Sequence, residues 1–185
     1  MATSGPNTAG TGANDAAAGV VAWSNPTRIT ASDNSRSQAA RASSSSTTQY
    51  LKGTNFGFAI PTGATIVGIL VEIERFQSAG GGTMVDLEVK IVKADGTFGT
   101  TNKASGTNWT GTEAFFSYGG ASDLWGETWT SADINDADFG VVLRGTMTMG
   151  AETNVTADVD SMRITITYSE GGGQVYSTLP CLGAG

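Results

Sequence analysis

The chain has 185 residues and a formal net charge of −7, from ten basic and seventeen acidic side chains. This acidic balance disfavours binding to nucleic-acid backbones and to anionic membrane surfaces. Histidine is absent, and the single cysteine is Cys181, so the sequence offers no zinc site, no intrachain disulfide and no histidine general base. We therefore expect a protein that is not an enzyme and that needs no cofactor.

Residues 1–22 form a segment with little charge and few bulky apolar side chains. Asp15 is its only charged side chain, and Val20 and Val21 are bulky and apolar. Such a segment buries too little apolar surface to offset a backbone-ordering cost of about 1–2 kcal/mol per residue. This composition is typical of a disordered tail. The alternative, which we take as our hypothesis, is an extended arm that lies on a neighbouring subunit, with both valines as contact residues. The segment lacks the charge and apolar pattern of a secretory signal, and no apolar run in the sequence is long enough for a membrane span.

The body is predicted to begin at Trp23. Residues 28–33 are expected to form a short edge strand, and the serine-rich residues 35–48 a polar strand or loop. The longest β-like stretch follows at residues 64–76, ATIVGILVEIERF, where apolar side chains recur with period two. The residues predicted on its buried face are Val67, Ile69, Val71 and Ile73.

Residues 84–93 alternate in the same way, and a glycine-rich connection joins them to the preceding strand. We predict that the two strands form an antiparallel pair. The residues expected to face inward are Val85, Leu87, Val89 and Ile91, whereas Asp86, Glu88 and Lys90 are expected to face solvent.

The second half of the chain adds two more predicted strands, at residues 139–149 and 159–168, after an irregular region with aromatic anchors. Residues 131–135 are expected to form one helical turn with a Ser or Thr cap. The sequence shows no helix long enough for a parallel crossover, so short turns join antiparallel strands. We predict an all-β fold, an antiparallel β-sandwich of jelly-roll type.

Residues 171–185 form a second segment without charge, which starts with three glycines. We predict that it is a second arm, which gives an arm at 1–22, a β-sandwich domain at 23–170 and an arm at 171–185. The apolar side chains expected to contact a partner are Val175, Tyr176, Leu179 and Leu182. An isolated monomer that folded both ends onto its own body would contradict this interpretation.

Several acidic residues are spaced closely enough to be considered as sites. Asp133, Asp136 and Asp138 lack the spacing of a calcium-binding EF-hand loop, so solvated caps are expected. Glu72 and Glu74 have a spacing that a glycosidase-like carboxylate pair could use, but the solvated face of a strand explains both residues. The pair Asp158 and Asp160 is expected at a sheet edge or in ion pairs with Arg163 or Arg144. No metal site is predicted.

Trp109, Trp125 and Trp129 allow an alternative function. Tryptophans on the rim of a sandwich can stack against sugars, which would make the protein a carbohydrate-binding module. The competing interpretation is that they anchor long loops onto the core.

Four phrases, NFGFAIP, GATIVGI, LWGETWT and VDSMRITITY, carry a resemblance that spans residues 23–169. They resemble a family of small β-sandwich proteins encoded in the structural gene clusters of tailed bacteriophages. The resemblance implies a non-enzymatic virion component, such as a capsid cement or head-decoration protein or a part of the tail or fibre. It also implies production in the cytoplasm of the bacterial host.

The first hypothesis is therefore a cement protein on the capsid surface. Its two arms would clamp neighbouring copies and the major capsid protein, and linked contacts of this kind raise avidity. A homo-oligomer, either a dimer or a trimer, is expected. A tail, neck or fibre component is the second hypothesis, and the carbohydrate-binding module is the third.

Overall fold

Alternating apolar and polar residues build two sheets of five strands each in the computed structural model, which describes residues 1–42, 44–150 and 154–171. All pairings between the strands are antiparallel. Along the chain the elements are β1 (Ala2–Thr8), β2 (Thr11–Asp15), a 3-10 helix (Pro26–Ile29), β3 (Ser37–Arg41), β4 (Ser46–Thr47), β5 (Tyr50–Thr54), β6 (Thr65–Ala79), β7 (Thr83–Val92), β8 (Ala114–Gly120), α1 (Ser131–Asn135), β9 (Gly140–Thr148) and β10 (Val155–Ser169).

The strand order is that of a jelly roll. In sheet A, β10 lies between β6 and an edge shared by β3 and β1, and β8 pairs with the other side of β6. In sheet B, β9 pairs with β7 on one side and with β5 and β4 on the other. β2 pairs with β5 and extends the sheet beyond it. Residues 97–103 follow the outer side of β7, to which Gly99 and Lys103 donate backbone hydrogen bonds. The predicted fold class is confirmed.

The core lies between the two sheets and is made by the inward faces of their central strands. Ile69, Val71 and Ile73 of β6 are fully buried, as the period-two pattern predicts. They belong to one cluster with side chains of both sheets, among them Val141, Leu143, Met147, Met162, Ile164 and Ile166. Burying a side chain of this size stabilises the fold by about 1.5–3 kcal/mol.

The predicted antiparallel pair between β6 and β7 is wrong. β6 pairs with β10 and β8 in sheet A, whereas β7 pairs with β9 in sheet B. The glycine-rich connection therefore crosses from one sheet to the other. Two strands with apolar inner faces can share a core across a sandwich as well as side by side, and the pattern alone does not distinguish these arrangements.

β-bulges shift the inward phase within two of the predicted strands. The register of β7 with β9 shifts between Asp86 and Glu88, so Met84 and Asp86 are buried while Val85 and Leu87 are only partly buried. The inward phase resumes at Val89, as predicted. A second shift, in the pairing of β6 with β10, lies near Val67 and leaves Ile66 buried and Val67 half-buried. A bulge inserts one unpaired residue, which moves all later side chains to the other face.

The prediction of an N-terminal arm on a neighbouring subunit is wrong for residues 2–15. β1 pairs with β10 and β2 pairs with β5, so these residues extend one edge of each sheet of the chain's own sandwich. Ala9, between the two strands, is buried in the core. Small side chains let the backbone lie close to existing edges, where ladder hydrogen bonds replace the missing apolar surface. The domain therefore begins at the first strand and not at Trp23.

The shorter elements agree only in part with the predictions. Residues 26–29 form a 3-10 helix where an edge strand was expected, because Pro26 occupies its first turn and fixes a helical φ. β3 and β4 are the polar strands expected within residues 35–48. α1 begins after Thr130, whose side chain accepts a hydrogen bond from Asp133 N, so the predicted capped turn is confirmed.

Candidate functional site

Two of the three tryptophans proposed as a sugar-binding platform lie in the core. Trp109 is 5% exposed and Trp125 is 1% exposed. Trp125 Nε1 donates to the carbonyl of Ile69 at 3.0 Å, and Trp109 Nε1 donates to Asp86 at 2.8 Å. The protein's own atoms cover both rings, so the platform prediction is wrong for these two residues. The long loops that carry them hold few other apolar residues, and the rings anchor those loops.

Trp129 is half-buried, and the carbohydrate-binding alternative now depends on it alone. Its ring meets Phe139 edge to face at 5.6 Å, and its Nε1 donates to Leu124 O at 2.9 Å. The ring also lines an open surface depression of about 230 Å³. The other lining residues are Lys93, Ala94, Asp95, Thr128 and Asp133.

We expect no change in tryptophan fluorescence when the protein is titrated with glycans, because only one ring has an accessible part. The measurement is the emission maximum during titration with a panel of mono- and oligosaccharides. The Trp129→Phe variant is the matched control, since it removes the accessible indole and keeps an aromatic ring. A sugar-dependent shift that disappears in this variant would favour the carbohydrate-binding alternative.

A buried polar network joins the two sheets at one end of the sandwich. Arg75 of β6 is 1% exposed, and its Nη2 donates to Asp86 Oδ2 of β7 at 3.1 Å. The same oxygen accepts from Tyr118 Oη and Ser105 Oγ, both at 2.9 Å. Trp109 Nε1 donates to the other carboxylate oxygen of Asp86. Asp86 therefore accepts four side-chain hydrogen bonds from three segments: β6, β8 and the loop between β7 and β8.

Aromatic rings cover the guanidinium group of Arg75. Its Cζ lies 4.5 Å from the ring centroid of Trp109 and 4.0 Å from that of Phe116. Such cation–π contacts contribute about 2 kcal/mol or more where water is excluded. Burial and the charge of Asp86 raise the pKa of Tyr118, which keeps its hydroxyl protonated as a donor. Because Arg75 and Tyr118 lie in sheet A and Asp86 lies in sheet B, the network fixes the two sheets relative to each other.

A second polar cluster lies on the outer face of sheet A and is partly open to solvent. It contains Glu74 of β6, Asp160 of β10 and Glu113, which precedes β8. One carboxylate oxygen from each of these residues lies within 4.8 Å of the others. Asp160 occupies the bulge between Val159 and Ser161 in the pairing with β6, and this bulge directs its side chain to the outer face.

Arg36 contributes the positive charge at this acidic cluster. Its Nε and Nη2 donate to the two oxygens of Glu113 at 2.8 and 2.6 Å, and its guanidinium lies 4.9 Å from the ring of Phe76. Asp160 is 2% exposed and its Oδ2 accepts from Asn34 N at 3.0 Å. Burial raises the pKa of Asp160, and the nearby charge of Glu113 adds to this shift against the lowering effect of the Asn34 hydrogen bond.

The other carboxylates considered as sites have structural roles. Glu72 forms an ion pair with Arg163 at 2.9 Å, so it is not half of a carboxylate pair with Glu74. Asp158 accepts a hydrogen bond from Gln38 Nε2 at 2.7 Å. The expected ion pairs of Asp158 and Asp160 with Arg163 or Arg144 are not formed, because those arginines pair with Glu72 and Glu88.

The three aspartates at 133–138 are turn and cap residues, as predicted. Asp133 completes the capping box of α1 by accepting from Thr130 N at 2.8 Å. Asp136 accepts from Asp138 N at 2.8 Å.

The residues proposed as partner contacts differ in their positions. Val21 is buried in the protein's own core, so the prediction that it contacts a partner is wrong. Val20 is 69% exposed and remains available at the surface. Val175, Tyr176, Leu179 and Leu182 lie outside the described residues, as does Cys181.

Sequence reasoning missed the residues that organise both polar clusters. Arg75 continues the inward series of Ile69, Val71 and Ile73 with period two, and this phase could have placed it in the core. Asp86 and Asp160 both lie at bulges. A bulge turns a side chain to the face opposite to the one that period-two alternation predicts, and neither bulge is marked by a sequence motif.

Comparisons with known proteins add little to this picture. No family model matches the sequence, and no curated protein matches it. A solved structure of infectious bursal disease virus, Gx strain, is similar at a TM-score of 0.38 and 15% identity over 77% of this chain. The match covers 31% of that chain, so this protein spans less than a third of its length. In the part of the chain that is described, no helix is long and apolar enough to cross a membrane.

Proposed function

We propose that this protein is a non-enzymatic structural component of a tailed-bacteriophage virion, and specifically a capsid cement or decoration protein. The jelly-roll body would sit on the outer capsid surface and contact the major capsid protein and neighbouring copies of itself. A dimer or trimer would place several attachment segments on one lattice site, which raises avidity.

The observation that carries the proposal is that two phrases of the phage-family resemblance, NFGFAIP and LWGETWT, pack against the same segment, which holds α1 and Phe139. The side-chain amide of Asn135 bonds both the N–H and the carbonyl of Ile60, at 2.7 and 2.9 Å. Phe58 and Trp129 both meet Phe139 edge to face, at 6.2 and 5.6 Å. Residues far apart in sequence thus form one aromatic cluster beside α1. Residues that carry the resemblance therefore belong to one packed structural unit, which supports assigning the family's role to this protein.

The attachment mechanism differs from a clamp with two free arms. Residues 2–15 use their backbone groups on β10 and β5 and cannot bind a neighbour in the same way. The candidates that remain are the exposed Val20 and the segment 172–185, which carries no charge and four bulky apolar side chains. It follows Gly171, which lies close to the backbone of Gly63. We assign capsid binding to this C-terminal segment.

The test is to find the chain on particles and then to remove the segment. Quantitative mass spectrometry of gradient-purified particles should detect the full chain in a fixed ratio to the major capsid protein. A variant lacking residues 172–185 should lose occupancy by on the order of a hundredfold at limiting concentration, because one of the linked contacts is gone. Its thermal unfolding midpoint should stay unchanged, because both described sheets are built without the removed residues.

Two substitution variants show whether capsid occupancy depends on the apolar side chains of the segment 172–185 or only on its length. Replacing Val175, Tyr176, Leu179 and Leu182 by serine should reproduce the loss, whereas Gln174→Ala with Thr178→Ala should not. Full occupancy without residues 172–185 would contradict the proposed attachment. Absence of the chain from purified particles would contradict the virion role itself.

A tail, neck or fibre component is the second candidate within the same class. The resemblance includes such proteins, and a compact sandwich serves either position. Labelling the chain on intact particles with an antibody and imaging them distinguishes the head from the tail.

A further inference from the structure

We infer that Glu74, Glu113 and Asp160 form a binding site for a divalent cation of the hard, oxygen-binding class, with Ca²⁺ as its best ligand. The inference is independent of the virion role proposed above. The site lies on the outer face of sheet A. Glu74 lies on β6, Asp160 lies on β10, and Glu113 directly precedes β8.

The first argument is that two buried carboxylate oxygens in the cluster have no hydrogen-bond partner among the described residues. Asp160 is 98% buried, yet its Oδ1 accepts no hydrogen bond from the part of the chain that the structure describes. Glu74 Oε2 is also buried, and none of the described residues donates to it. Leaving such an atom unsatisfied costs about 1–3 kcal/mol, and more for a charged group. Native proteins satisfy buried carboxylates with donors or with metal ions, and here donors reach only the other oxygen of Asp160.

The second argument is the balance of charge. Three carboxylates gather at the cluster, and Arg36 is the guanidinium that pairs with one of them. Two negative charges therefore remain, which a divalent cation would neutralise.

The third argument is the chemistry and spacing of the donors. All three ligands are carboxylate oxygens, which suit Ca²⁺ and Mg²⁺ and not the softer metals that prefer sulfur or imidazole. Their separations of up to 4.8 Å fit oxygens placed around one ion at about 2.3–2.6 Å, the usual Ca²⁺ distance. Mg²⁺ requires a tighter and more regular octahedron, so Ca²⁺ fits better.

The site is accessible and joins segments that are distant in sequence. The side chain of Glu113 is 20% exposed, so an ion can enter from solvent. Asn34 and Arg36 also contact the cluster, on the segment that leads into β3. A bound ion would therefore hold this segment and the start of β8 against the bulge in β10.

The experiment measures thermal unfolding of the full chain after chelator treatment, with calcium chloride, magnesium chloride or manganese chloride as the added probe. We expect Ca²⁺ to raise the midpoint by about 5 °C or more once free ion exceeds its dissociation constant a hundredfold. Mg²⁺ should raise it less. Calorimetric titration with calcium chloride should give one ion per chain.

Asp160→Asn is the decisive variant, because asparagine keeps the shape and the acceptor for Asn34 N but removes the charge. It should be at least as stable as the wild type in chelator and should gain nothing from Ca²⁺. Glu74→Gln should also lose most of the gain. The matched control Glu72→Gln, on the same strand and face, should respond to Ca²⁺ like the wild type. No midpoint shift with any of the three ions, or a full shift in Asp160→Asn, would overturn the site.

Discussion

Replacing Arg75 by methionine should lower the free energy of unfolding by about 3–5 kcal/mol, because it leaves Asp86 as an uncompensated charge in the core. Asp86 is 4% exposed, so its carboxylate is largely shielded from bulk water. Methionine matches the length of the arginine stem, so the loss comes from the charge and not from a large cavity. Chemical denaturation monitored by circular dichroism measures the change.

The double variant Arg75→Met with Asp86→Asn separates charge from packing. Asparagine keeps an acceptor for Trp109 or Tyr118 and needs no counter-charge, so the double variant should be more stable than Arg75→Met alone. The ion pair of Arg163 with Glu72, whose side chains are partly exposed, is the matched control, and Arg163→Met should cost no more than about 1 kcal/mol. A loss below that value in Arg75→Met would show that the buried pair contributes little.

Removing residues 1–15 should destabilise the fold by about 3 kcal/mol or more and lower the unfolding midpoint by about 6–12 °C. These residues supply five paired positions along β10 and five along β5. Their removal also uncovers two sheet edges, whose unpaired backbone groups favour aggregation. Differential scanning calorimetry and size-exclusion chromatography measure both effects.

A point substitution tests the same docking without truncation. A Cβ atom on Gly12 would lie 2.1 Å from Pro26 O, so Gly12→Ala should cost about 1–3 kcal/mol. Gly120→Ala is the matched control, because a Cβ atom there would meet nothing within 4 Å. Unchanged stability after removal of residues 1–15 would mean that the strands are not part of the folded body.

The fold class was predictable because its signals are local. The alternation in β9 and β10 places Val141, Leu143, Met162 and Ile164 in the core, as the structure confirms. Thr130 marks the start of α1 because its hydroxyl caps a free backbone N–H. What could not be predicted is which strands pair, since pairing in a sandwich depends on contacts between distant residues. The separation of β6 and β7 into different sheets is the clearest example.

The polar clusters were harder to predict than the core. Period-two alternation alone predicts that Asp86 faces solvent, because the alternation does not reveal the bulge that follows it. Glu113 lies in a region without hydrophobic periodicity. The prediction that the N-terminal segment lies on a neighbouring subunit was wrong for a different reason. Composition measures what a segment can bury alone, whereas β1 and β2 are stabilised by edges that the rest of the chain provides.

The pairing of β1 with β10 also determines when folding can finish. Ala2 lies opposite Tyr168, so β1 needs β10, at the other end of the sandwich sequence, as its template. Sheet A can therefore close only after residue 168 has been synthesised. A topology dominated by such distant pairings also folds slowly, on a timescale of about milliseconds to seconds or longer. Until β10 is available, β1 depends on its small, polar side chains to remain unaggregated.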